Sequence, residues 1–236
     1  MTGVAGECEH GADSHDGTAS SEASAPEASR AWLLIEHPGP WPHEAAEAVL
    51  PGSLRGVVDE AVKFGIRVQM IRRPGPRSAG DRVFAGWTAG SEPWLRCGPV
   101  SSGLDLAALA GGKPVSFGVP VTEPVFLVCA HAQRNACCAR FGGPLAVSLA
   151  ERYPGQVFQT THVGGHRFAA NLVILPHGLY YGPVGLAEAV AAIGAYERGM
   201  VTAVRYRGRA GQPKPVQEAE HEALVRAGSL GVAALA

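Results

Sequence analysis

VFLVCAHAQRNACCARFGGPLAVSLAERYPGQVFQTTH, residues 125–162, is the stretch whose reading decides the fold. Residues 125–129 form an unbroken apolar run, as expected of a buried strand; 138–152 reads as a helix, and 157–161 as a second strand. Strand, helix, strand is a βαβ unit. Upstream the same order recurs: a buried strand over 31–36, an interrupted amphipathic helix over 45–64 and a strand over 66–71. An edge strand over 82–87 and a short helix over 104–109 follow, before a Gly- and Pro-rich stretch at 111–124. Downstream, 171–175 and 179–184 read as a hairpin and 186–198 as a helix, with a further helix over 216–227 behind Pro213 and Pro215.

The order implies an α/β protein of two related lobes, although residue identity between the halves is too low to establish duplication. The expected organisation is a disordered, Ser-rich tail over 1–30, an N-terminal α/β lobe over 31–120 and a C-terminal lobe over 121–236 that carries the chemistry.

Bulk composition narrows the function classes. Apolar residues make up 46% and charged residues 17% of 236, the balance of a compact folded chain. With 20 basic and 21 acidic residues and a net charge of -1, there is no positive field of the kind that neutralises phosphates, so nucleic acid is not expected as a partner. No apolar run approaches the roughly 20 residues of a membrane-spanning helix. Residues 1–30 lack a basic region followed by an apolar stretch, which leads to the expectation of a cytoplasmic address. Five cysteines are too few for a disulfide scaffold, and clustered Cys and His in a reducing compartment more often serve metals or redox chemistry.

Cys129 ends the strand at 125–129, and Cys138 follows nine positions later across a polar loop. His162 ends the next strand, and His166 lies four positions on, across Gly164 and Gly165, which allow a tight backbone path. Adjacent strands lie about 4.8 Å apart, so loops leaving the same ends of both can close over one inorganic centre. Two thiolates and two imidazoles are the ligand set of a Rieske-type two-iron cluster, and equally of a tetrahedral structural zinc site. The C-x8-C spacing is wider than the usual zinc-knuckle arm and leans toward the cluster.

CAHAQRNACC and THVGGHRFAANLVILPHGLYYGPV, together with WLLIEHPGPW early in the chain and PVQEAEHEALVR near its end, resemble the sucrase/ferredoxin-like family. Its core is similar to thioredoxin-like ferredoxins. The resemblance implies a [2Fe-2S] cluster bound by Cys129, Cys138, His162 and His166, and an electron carrier rather than a stand-alone catalyst. It also implies redox partner proteins, a separate reductase and an acceptor, since no Gly-rich nucleotide fingerprint is present. Two departures stand out: Asn135, where relatives usually carry Asp, and the adjacent thiol Cys137, an alternative to Cys138 as ligand. The word sucrase carries no chemistry here, because glycoside cleavage needs two facing carboxylates and no strand end offers such a pair.

Thiol–disulfide exchange through Cys137 and Cys138 is a third class, weakened by the lack of C-x-x-C. His131, two positions after Cys129, reads as a residue supporting the site rather than as a ligand. Arg134 and Arg167 are candidates to offset a cluster's negative charge or to meet an acidic partner. Cys97 reads as an incidental thiol, His177 as a hairpin residue, and Cys8 and His10 lie in the tail without preorganisation.

Overall fold

The computed structural model describes residues 23–76, 80, 82–99 and 103–235. The expected tail therefore falls largely outside the described residues, as do Cys8 and His10.

An apolar run buried on both faces is what a central strand of a covered sheet requires, and the chain meets that requirement twice. β1 (Ala31–Glu36) and β6 (Val125–Cys129) are buried at every position. Each is followed by a helix and a parallel partner: α1 (Gly52–Lys63) leads to β2 (Arg67–Arg72), and α3 (Ala136–Arg152) leads to β7 (Val157–Thr160). The first half continues with β3 (Val83–Trp87), β4 (Trp94–Gly98), α2 (Leu106–Ala110) and β5 (Val119–Pro120). The second continues with β8 (Leu172–Leu175), β9 (Leu179–Tyr181), α4 (Leu186–Glu197), β10 (Met200–Thr202), β11 (Tyr206–Arg209), α5 (Lys214–Ala227) and β12 (Ser229–Gly231).

Ten strands form one mixed sheet in the order β11-β9-β8-β6-β7-β2-β1-β3-β4-β5, while β10 and β12 pair separately. Strand order and directions repeat: β2-β1-β3-β4 in the first half and β7-β6-β8-β9 in the second, each with a parallel pair followed by two antiparallel neighbours. The halves meet where β2 and β7 pair antiparallel, Ile71 opposite Thr160 and Arg72 opposite Gln159. Hydrogen bonding thus runs through the sheet without a break near residue 120.

One expectation needs correction. The strand expected at the edge, β3, lies inside the sheet between β1 and β4. Its outer partner β4, Trp-Leu-Arg-Cys-Gly, mixes polar and apolar residues too closely to be read as a strand. The interruption expected in the helix over 45–64 falls between a 3-10 turn at Ala45–Glu47 and α1, where Pro51 holds an extended ψ of 149° and disfavours helical geometry at the residue before it.

Three neutral histidines set an acid limit on this fold. Burial lowers His131 and His221 from the usual imidazole value, and burial followed by the nearby Arg209 charge lowers His177 to about 4. A folded-state pKa below the unfolded value gives stability that is complete above about 6.5 and is lost as pH falls toward the folded value. Melting temperature is expected to fall steadily from pH 6.5 to pH 4; a flat profile over that range would contradict the neutral assignment.

Candidate metal centre

β6 and β7 are adjacent and parallel, with Cys129 opposite Thr160, so both strands release their chains at the same edge. After Cys129 the chain turns at once: the Asn135 N–H donates to the His131 carbonyl at 3.1 Å, and the Asn135 side chain accepts from the Cys137 N–H at 2.9 Å as the N-cap of α3. That cap satisfies one of the helix's unpaired N–H groups and places Cys138 in the first turn. Asn therefore performs the local bonding that Asp would perform. Asn135→Ala is expected to lower stability by about 1 kcal/mol while Asn135→Asp keeps it, measured by chemical denaturation.

The close seat of α3 on β6 depends on Gly142, where a Cβ would stand 1.8 Å from the Cys129 carbonyl oxygen. His162 lies two residues past β7 and is followed by Gly164 at φ +100° and Gly165 at φ +59°, a path that side-chain-bearing residues rarely take.

Cys129, Cys138 and His162 come together. His162 Nδ1 is 3.9 Å from Cys129 Sγ and 3.8 Å from Cys138 Sγ, and all three donor atoms lie within 4.8 Å of one another. Both sulfurs are fully buried, while His162 is half-buried. His166 opens a 3-10 turn at His166–Phe168, and its side chain lies outside the described residues. Cys137 is buried beside Cys138 but is not in the trio.

The two sulfurs act on one another. A hydrogen bond from Cys138 holds Cys129 well below the ordinary thiol range, against the opposing effect of burial and with help from His162. The same bond, with burial, pushes Cys138 up. The thiolate is the form that binds metals, and the hydrogen bond from Cys138 favours it at Cys129.

His131 supports the site with both ring nitrogens. Its Nε2 lies 2.8 Å from the Pro42 carbonyl, which can only accept, so Nε2 carries the proton. Nδ1 is then free of a proton and accepts the His162 N–H at 3.1 Å. Trp41 packs edge-on against the ring at 6.0 Å.

Residues of the first half that no sequence signal picked out complete the setting. Gln69 Nε2 donates to the His162 carbonyl at 3.2 Å and Arg67 Nη2 does so at 3.3 Å, across sequence separations of 93 and 95. A cleft of about 290 Å³ opens beside His162, with His43, Glu44, Arg67, His131 and Arg134 on its walls. Arg134 binds Glu44 and lies 2.9 Å from His43 Nδ1, so its charge is met within the chain. Arg167 stacks on Phe168 at 4.9 Å. His177 sits in the β8–β9 turn with Nδ1 2.5 Å from the Tyr196 hydroxyl, and Cys97 lies on β4 opposite Phe84.

The donor chemistry fits a soft or borderline metal: two sulfurs and an imidazole nitrogen, with no carboxylate in the trio. Fold and site together define a mixed α/β protein with a Cys2His group able to hold a metal. The chain belongs to the sucrase/ferredoxin-like family, which residues 23–208 match. The match includes the early segment WLLIEHPGPW and the whole site, and it ends before PVQEAEHEALVR in α5.

Among curated proteins, the chain is similar to "Altered inheritance of mitochondria protein 32" of Eremothecium gossypii, 27% identical over 118 residues. That alignment covers 42% of this chain and 36% of the fungal protein, so the chain spans well under half of its relative. No solved structure matches the chain significantly. Among the described residues, no helix is long and apolar enough to cross a membrane.

Proposed function

We propose that this is an electron-transfer protein holding a [2Fe-2S] cluster through Cys129, Cys138, His162 and His166. The observation that carries the reading is the meeting of two buried sulfurs and His162 Nδ1 at neighbouring parallel strand ends, in a chain of the sucrase/ferredoxin-like family. His166, four residues past His162 across two left-handed glycines, is the fourth donor of the proposal. A cluster there would take up and release one electron, and neutral imidazoles in place of thiolates would raise its potential.

The repeated strand order supports two thioredoxin-like lobes, dividing near residue 120, with the second supplying every ligand. Redox partner proteins, a reductase and an acceptor, complete the proposal, as does a cytoplasmic setting.

One observation favours structural zinc as the second reading. A single tetrahedral ion with Zn–S near 2.3 Å and Zn–N near 2.1 Å needs a sulfur-to-nitrogen separation of about 3.6 Å. The trio stands close to that, at 3.8 and 3.9 Å. A potentiometric titration separates the two. The cluster reading expects reversible one-electron reduction with loss of visible colour, and a lower potential in His166→Cys, where a charged thiolate replaces a neutral donor. A colourless protein with no redox wave supports zinc, and an unchanged potential in His166→Cys removes His166 from the ligand set.

A further inference from the structure

We infer that Gln69 and Arg67, on β2 of the half that contributes no ligand, are the positioning residues that hold the His162 imidazole against the two sulfurs; this rests on the reading of His162 as a metal donor. The need for such a hold is local. His162 has left the ladder of β7, and the chain beyond it runs into Gly164 and Gly165, whose backbones restrain it least of any residue. A side chain that must present one nitrogen to a metal from such a segment loses accuracy unless its own peptide groups are fixed.

They are fixed on both sides. The His162 N–H is taken by His131 Nδ1, and its carbonyl receives Gln69 Nε2 and Arg67 Nη2. The orientation of the Gln69 amide follows from chemistry. Thr161 Oγ1 accepts the Met70 N–H at 3.1 Å, so its own proton points to Gln69 Oε1 at 2.5 Å; Thr160 Oγ1 lies 3.3 Å from the same oxygen. With Oε1 committed to the two threonines, Nε2 faces His162. A flipped amide would set two oxygens against each other.

Arg67 is held as well. Its Nη1 donates to Ser29 Oγ at 3.0 Å and its guanidinium lies 5.2 Å from the Trp32 ring centre. Two preorganised donors therefore converge on one carbonyl, and a rotation of the His162 peptide would break both. Groups that orient a metal ligand from outside the ligand set commonly change metal affinity by about 10- to 100-fold when removed.

The test uses cobalt(II) added anaerobically to the full apo chain, because its sulfur charge-transfer and d–d bands report the donors without requiring a cluster. Gln69→Leu is expected to weaken cobalt affinity about 10- to 100-fold and to shift the d–d bands; Arg67→Met is expected to do the same to a smaller degree, with Arg67→Lys in between. Should Gln69→Leu fail to fold by circular dichroism, Arg67→Met decides, since Arg67 is half-buried and its loss leaves the threonine network intact. Wild-type affinity and unchanged bands in a folded Arg67→Met, or in a folded Gln69→Leu, overturn the inference. His162→Ala keeps the two failures apart: if that variant binds cobalt like the wild type, His162 is no ligand and the underlying reading fails. If it abolishes sulfur-and-nitrogen ligation while the β2 variants do nothing, the positioning role alone is lost.

Discussion

Gly142→Ala is expected to be severely destabilising. The new Cβ would stand 1.8 Å from the Cys129 carbonyl oxygen and 2.9 Å from its carbonyl carbon, where real contacts hold to at least 3.0 Å, and both atoms belong to the backbone of a central strand that cannot swing aside. α3 must then retreat from β6, opening the layer in which Leu145 and Leu149 pack under Phe126 and Val128. Overpacking of this severity costs about 3 kcal/mol or more, a large share of the roughly 5–15 kcal/mol that holds a domain together. Cys138 sits one helical turn before Gly142 and moves with the helix, so the separation of Cys138 from Cys129 changes as well. Gly143→Ala is the internal control, because its Cβ would meet nothing within 4 Å. Replacing a helical glycine by alanine there is expected to stabilise by about 0.5–1 kcal/mol. Urea denaturation of the pair checks both, and equal stabilities would contradict the close seat of α3.

Cys129→Ser and Cys138→Ser are each expected to reduce metal retention to background, the largest functional effect in the molecule. Each sulfur lies within 4 Å of the same His162 nitrogen, so loss of either leaves at most one thiolate beside the imidazole. Cys129→Ser also removes the thiol whose ionisation its neighbour favours, and a buried hydroxyl does not ionise in its place. The fold is expected to survive, because serine is nearly isosteric with cysteine and can keep a hydrogen bond to its neighbour. Cys97→Ser, on β4 and five strands along the sheet from β6, is expected to leave metal content at the wild-type level. Metal analysis of the three variants checks the assignment: loss in Cys97→Ser, or full loading in Cys129→Ser or Cys138→Ser, would contradict it.

What the sequence made legible follows from how each element is stabilised. β1 and β6 could be read to the residue because strands covered on both faces show as uninterrupted apolar runs. β11 could not. Tyr-Arg-Gly-Arg reads as a solvated loop, yet all four residues are buried, with Arg209 paired to Glu220 at 2.6 Å and Arg207 stacked on Phe168 at 4.0 Å. Burial there comes from charge pairing and ring stacking across the fold, which leaves no periodicity in the chain. β10 and β12, three residues each, are too short to carry a pattern.

The candidate site divides along the same line. Cys129 and His162 were visible because a polar donor at the end of an apolar run is a local signal, whereas Cys138 was set apart from Cys137 only by the family spacing. Gln69, Arg67 and Pro42 were not visible, because their role exists only once β2 pairs with β7 and the loop after β1 reaches His131. A glutamine in the middle of a strand, with apolar neighbours on both sides, looks like an ordinary strand residue until its partner 93 positions away is known.

The most direct test of the central claim is analysis of iron, acid-labile sulfide and zinc in the full chain purified without oxygen, with electron paramagnetic resonance after reduction. The expected result is iron and sulfide in equal amounts, two of each per chain, and a reduced-state signal showing mixed sulfur and nitrogen ligation. One zinc per chain with neither iron nor sulfide would contradict the electron-carrier account and leave Cys129, Cys138 and His162 as a structural metal site.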